Sequence, residues 1–223
     1  ESQIALLALF NNLPGMAYRT ARDPLSGRRH VEFVSGGCLR LTGYAANAYI
    51  SNPTFYRTQI VHPDDRDQVD RVIDAAEKEH RPYALMYRIV RADGDVRWFD
   101  EHGTGLYDAE QRLTAREGFI NDVTESVSNV EEIRRQSDRL QKLTRAVEQA
   151  HELVVIGDAS GNVQYVNAAF ERITGHGRDE LIGRPAFMST VDSSDSNLFA
   201  TIRPKLVRGD VWRGNYLISR KDG

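Results

Sequence analysis

The chain has 223 residues, 40% hydrophobic and 27% charged, with a formal net charge of −3, a profile of folded globular protein that excludes a disordered chain. Such a balance supplies no basic stripe for nucleic acid, and short runs such as Arg134-Arg135 read as solvated helix face. No apolar run reaches the roughly 18 residues of a membrane span, and a single cysteine, Cys38, allows neither an internal disulfide nor a thiolate cluster for a metal.

A cytoplasmic location with no membrane contact in this stretch is therefore expected, and a first residue other than Met predicts further sequence upstream. In chain order, Ile4–Leu13 predicts a short helix stopped by Pro14, which lacks the N–H that a helix interior needs. Met16–Thr20 and Arg29–Val34 read as strands around the turn-rich Asp23-Pro24-Leu25-Ser26-Gly27. Cys38–Leu41 opens a run of short helices. Asp64–Glu79 is a longer helix, with Val69, Val72, Ile73 and Ala76 at helical spacing and two aspartates at its positive end. Three strands follow, Tyr83–Arg91, Val96–Tyr107 and Leu113–Val123, parted by turns at Ala92-Asp93-Gly94 and Asp108-Ala109-Glu110. Two strands, several helices and three strands make an α+β unit with an antiparallel five-stranded sheet and helices on one face.

Glu125–His151 is a continuous helical pattern with Ile133, Leu140 and Val147 seven apart and Leu143 in the second heptad series. This seam predicts parallel pairing with another copy, a homodimer; packing on its own domain is the alternative. Beyond it the pattern begins again. Val31–Tyr44 aligns without gaps on Val163–His176, with Val, Val, Arg, Thr and Gly identical, and Ile89–Gly94 aligns on Ile218–Gly223. Two matches in the same order predict a duplicated unit, the second stopping where the first still has two strands to come. The expected division is a helix at 1–14, a first unit at 15–125, a helical linker at 126–151 and a second, truncated unit at 152–223.

Asp158-Ala159-Ser160-Gly161, Tyr165-Val166-Asn167, Phe170, Thr174-Gly175-His176 and Glu180-Leu181-Ile182-Gly183 together resemble the N-terminal half of a PAS domain, with His176 in place of the usual Tyr. The first unit resembles the same family through Leu41-Thr42-Gly43-Tyr44, His62-Pro63-Asp64-Asp65-Arg66, Arg91-Ala92-Asp93-Gly94, Trp98 and Asn121-Asp122-Val123-Thr124-Glu125. The resemblance implies tandem sensory domains with a pocket between sheet and helices for a small ligand or cofactor, or a face for a partner. Phe33, Cys38, Leu41, Tyr44, Met86, Trp98 and Phe119 are its candidate lining in the first unit, and Tyr165, Asn167 and Phe170 in the second. It implies a relay through Asp122, Val123, Thr124 and Glu125 into the linker helix, and an ion pair between Glu180 and Lys221, whose counterparts Ala48 and Ala92 lack both charges together.

Flavin and haem are the cofactors to weigh. His80 at the end of the long helix is the nearest haem ligand and His102 lies on a strand, but solvated histidine explains both more simply. His62 suits a helix start. Cys38 sits in Gly37-Cys38-Leu39-Arg40, unlike the motif of flavin-adduct photoreceptors, so an unreactive buried thiol is expected. No metal-ligand spacing, phosphate loop or nucleophile–base arrangement appears, and no catalysis is expected within this stretch. Val211-Trp212-Arg213-Gly214-Asn215 and Ser219-Arg220-Lys221-Asp222-Gly223 look most like PAS units that precede GGDEF or EAL domains, which make or degrade cyclic di-GMP. A sensor histidine kinase is the alternative output, and a ligand-free dimerisation scaffold the alternative role.

Overall fold

A computed structural model describes residues 14–23, 26–185, 202–205, 208–211, 213, 218 and 220–222. The helix expected at Ile4–Leu13 and most of the Val211–Gly223 stretch lie outside them. The chain divides into two compact units, Glu1–Glu132 and Ile133–Gly223.

The first unit holds one antiparallel sheet of β1 (Met16–Arg22), β2 (Arg29–Val34), β3 (Tyr83–Val90), β4 (Val96–Tyr107) and β5 (Leu113–Asp122), in the order β2-β1-β5-β4-β3. Between β2 and β3 run α1 (Gly37–Thr42), α2 (Ala46–Ser51), a π-helical turn (Tyr56–Ile60), a 3-10 turn (Pro63–Asp65) and α3 (Arg66–Lys78). The helix α3 buries Val69, Ile73 and Ala76 on one stripe, the i, i+4, i+7 spacing that one helix face requires. At its entry His62 Nδ1 accepts from the amide of Asp64, while the Asp65 carboxylate accepts from the amide, Nε and terminal nitrogen of Arg88 at 2.6–3.1 Å. The helix start is thereby tied to β3.

Strict alternation decides what each strand buries. On β3, Tyr83, Leu85, Tyr87 and Ile89 are buried, so Met86 faces the other way and is 47% exposed. Directly paired residues share a face, so the inner face carries, row by row, Met16, Ile120, Glu101 and Leu85, then Tyr18, Gly118, Gly103 and Tyr83.

The helix α4 (Thr124–Gln149) follows, with none of its side chains fully buried and Val130, Ile133, Leu140 and Leu143 each more than half exposed. The second unit has a hairpin, β6 (Val155–Gly157) with β7 (Val163–Val166), then α5 (Ala168–Thr174) and α6 (Arg178–Leu181). Val163, Val166, Phe170 and Leu181 form its core.

The repeat seen in the sequence recurs as geometry. Thr42 Oγ1 donates to the carbonyl of Cys38 and Thr174 Oγ1 to that of Phe170, both at 2.8 Å. The amide of Ala92 donates to the Thr42 carbonyl, and that of Lys221 to the Thr174 carbonyl, both at 2.9 Å. Gly43 and Gly175 follow at φ 80° and 76°, where a side chain is strained and would also press on Ala92 or Lys221.

Candidate functional site: a cavity with a tyrosine–glutamate end

The first unit contains a cavity of about 490 Å³ between the inner face of the sheet and α3, with walls that include Met16, Val34, Val61, Val69, Ile73 and Ile120. Arg28, Arg29 and His30 of the β2 edge and Pro53, Thr54 and Arg57 of the loop opposite also line it. Arg57 is paired there with Asp70 at 2.6 Å.

Its polar end is built from the sheet. Gly118 and Gly103 stand between Tyr18 and Tyr83 in one row, and a Cβ at Gly118 would come within 2.8 Å of the Tyr18 hydroxyl, while one at Gly103 would collide with Tyr83. Without side chains there, tyrosines from two strands that are not neighbours lean inward until their hydroxyls lie 2.7 Å apart. Both donate to Glu101 Oε1, at 2.5 and 2.9 Å, and Tyr87 donates to Oε2 at 2.6 Å. Tyr56, the first residue of the π turn, lies 2.6 Å from the Tyr87 hydroxyl. Glu101 is only 3% exposed, a position a carboxylate keeps only when hydrogen-bonded on both oxygens. Burial, then the Glu101 carboxylate, holds the hydroxyls of Tyr18, Tyr56, Tyr83 and Tyr87 well above the ordinary phenol range, so each remains a donor.

Arg116 stands on the same face, its guanidinium 5.9 Å from the ring centroid of Tyr18. Its Nη1 is 3.5 Å from Glu77 Oε1, while Arg29 Nη2 is 2.5 Å from Glu77 Oε2. Arg116 Nε is buried with no hydrogen-bond partner among the described residues.

None of the residues expected to line this pocket does so. Phe33, Met86, Trp98 and Phe119 share the opposite face of the sheet, one residue out of phase with the buried series. The reason is the period of two: aromatic character selected them, and strand parity excludes them. Cys38 and Leu41 are buried in the core beneath α1, and Tyr44 packs edge-on against Phe55 at 5.0 Å. In the second unit Phe170 is core, Tyr165 lies under the Arg178 guanidinium at 5.4 Å, and Asn167 is a fully buried hub. Asn167 Nδ2 donates to the carbonyls of Val147 and Glu152, and its Oδ1 accepts from Val154 and Phe170. Glu148 adds an acceptor for the amide of Ala168 and for Arg178. Val147, expected in the dimer seam, is thus half-buried at this joint. Lys221 Nζ lies 2.7 and 2.9 Å from the two oxygens of Glu180, both side chains about half exposed.

The residues expected to relay a signal, Asp122 to Glu125, form a second joint. The Val123 amide donates to the Trp98 carbonyl, the Trp98 amide to Thr124 Oγ1, and the Thr124 amide to Asp122 Oδ1, each at 2.9 Å. The start of α4 is therefore pinned to β4 three residues from Glu101.

These residues do not fit haem. His80 stacks on Tyr107 at 4.1 Å, His102 pairs with Asp100 on the outer face, and the histidine that does line the cavity, His30, is exposed at its edge. Flavin–thiol chemistry has no nucleophile at the cavity either, since Cys38 is in the core with its thiol pushed up by burial. Among the described residues no group of His, Cys, Asp and Glu could hold a metal ion, and no helix is long and apolar enough to cross a membrane.

Residues 31–120 match a family described as PAS fold, and residues 141–214 match a second family of the same description. The chain is 31% identical over 114 residues to a methyl sulfide methyltransferase-associated sensor of Methanosarcina acetivorans, covering 51% of this chain and 11% of that protein. It is 34% identical over 79 residues to hybrid signal transduction histidine kinase L of Dictyostelium discoideum, covering 34% and 4%. Among solved structures, a sensory box histidine kinase/response regulator from Burkholderia thailandensis aligns with TM-score 0.46 and 22% identity over 64% of this chain and 99% of that one. The chain spans about a tenth or less of the length of these two curated relatives.

Proposed function

This chain belongs to the PAS family, with two PAS domains in series, and from that premise we propose that it is a sensory input region whose first domain holds a small ligand. One observation carries the reading: the first domain keeps a cavity of about 490 Å³ with a buried carboxylate at its polar end. The space opens between the β2 edge and the loop at Pro53 and Thr54, which gives a small molecule a way in to its buried polar end.

A ligand changes output only by binding one arrangement of the protein better than another. Glu101 and Trp98 share β4, so a ligand that pulls on the Glu101 cluster acts on the strand that holds Thr124. From there α4 carries the change to the joint at Asn167. The exposed Ile133, Leu140 and Leu143 support pairing of α4 with a second copy, in which a shift of register is the transmitted state. The effector is a cyclic di-GMP synthase or phosphodiesterase, on the motif pattern around Lys221-Asp222-Gly223; the hybrid histidine kinase among the relatives supports a kinase as the second reading.

The test is a thermal melt of the chain with and without a small-metabolite extract, beside an Ile73→Trp variant that fills the cavity. The reading predicts a raised melting temperature in the native chain alone. No rise, or an equal rise in the filled variant, sinks it.

A further inference from the structure

The hydrogen atoms of the cavity limit what it can hold. Three tyrosines line it, Tyr18, Tyr49 and Tyr56, and each directs its one hydroxyl hydrogen into the protein. Tyr18 donates to Glu101. Thr42 donates to the Cys38 carbonyl, so in the 2.5 Å contact between Tyr49 and Thr42 the donor is Tyr49. Tyr87 donates to Glu101, so in the 2.6 Å contact between Tyr56 and Tyr87 the donor is Tyr56. A hydroxyl has one hydrogen and two lone pairs. Tyr18 and Tyr56 therefore keep only lone pairs for a ligand, while Tyr49 turns its hydroxyl onto Thr42, and the buried carboxylate beside them accepts one bond at Oε2 among the described residues. The hydroxyl and carboxylate oxygens thus make an acceptor surface at the polar end, with the Arg116 guanidinium standing beside it on the same face.

We infer that the first domain binds a small protonated amine with an apolar body, its ammonium group seated among Glu101, Tyr18 and Tyr56. This rests on the reading of the first domain as a ligand-binding unit. An ammonium has three N–H donors and no acceptor, matching a surface of the opposite kind. Its desolvation is offset by the carboxylate, whose pull is stronger away from water, and by the tyrosine rings, Tyr49 and Tyr56 having centroids 6.1 Å apart. A carboxylate there would face lone pairs and the Glu101 charge. Two sources share the chemistry, a simple alkylamine and an α-amino acid, and the guanidinium of Arg116, a lining residue, offers the second a place for its carboxylate.

Thermal melts of the full chain with isoamylamine, leucine and isocaproate compare one branched skeleton with the amine alone, with both groups and with the acid alone. A rise with isoamylamine and leucine, or with leucine alone, supports the inference, the latter assigning the carboxylate to Arg116. Tyr56→Phe and Tyr18→Phe should each weaken binding about tenfold, as loss of one hydrogen bond does, and Glu101→Gln by more. The phenylalanine variants keep the test open if Glu101→Gln does not fold. A rise with isocaproate alone, or no rise with any of the three where the metabolite extract gives one, overturns the amine and leaves the ligand-binding reading standing. No rise with these compounds or with the extract overturns both.

Discussion

Gly103 and Gly118 show how much of the site depends on what is missing from a side chain. Each leaves room for a tyrosine ring to lie across the sheet, and the two rings meet over Glu101. Gly103→Ala should push the Tyr83 hydroxyl off the carboxylate and cost roughly 1–3 kcal/mol by overpacking, measured as a lower melting temperature and a weaker response to metabolite. Asp65 gives a second test at this scale. Its hydrogen bonds from Arg88 hold its carboxyl below the ordinary 3.8. A depressed folded value means that stability is present above the unfolded value and is lost as pH falls through the folded one. Asp65→Asn should therefore lower the melting temperature at neutral pH, and its gap from the native chain should close as both are acidified below that range. A gap independent of pH would contradict the assignment. Residue by residue, the sequence was least legible here. The alternation of Tyr83, Leu85, Tyr87 and Ile89 was visible and fixes the inward phase of β3. Reading β4 in register with it would have put Glu101 inside and Trp98 outside. The proton assignments were not visible, since they depend on which hydroxyls meet.

At the level of elements, strands and the long helices were legible because period and turn chemistry agree: β4 begins and ends at the expected Val96 and Tyr107, and α4 lies within one or two residues of expectation at each end. The π turn at Tyr56–Ile60 was not, because its extra residue per turn leaves no periodic mark in five residues. Nor was the role of Asn167, which from the sequence reads as pocket lining. It instead closes four hydrogen bonds, with Val147 in the last turn of α4, with Glu152 and Val154 just before β6, and with Phe170, where it caps α5. Asn167→Ala should cost about 2–4 kcal/mol by leaving buried backbone groups unpaired. Hydrogen exchange should show the loss as faster exchange around Val147 and Val154, with residues 16–122 unchanged. The exposed seam is tested separately. Leu140→Asp should turn a dimer into a monomer in sedimentation at unchanged helicity, and an unchanged sedimentation profile would remove α4 as the pairing element.

Across the whole molecule, the duplicated hydrogen bonds at Thr42 and Thr174 make each unit a variation on one plan. The plan was readable because the repeat falls on turns and caps, where backbone geometry restricts residue choice. The difference between the copies lies in side chains. At the position where the second unit has Lys221 paired with Glu180, the first has Ala92, with Ala48 in the place of Glu180. Half-exposed, the Glu180–Lys221 pair contributes little to stability. We propose sensing for the first domain, on its cavity, and transmission for α4. The direct measurement is hydrogen exchange of the full chain with and without the small-metabolite extract, in the native protein and in Ile73→Trp. These roles predict altered protection in β4 and over residues 124–149 in the native protein alone. Identical exchange in α4 with and without extract, or an equal change in the filled variant, would contradict them.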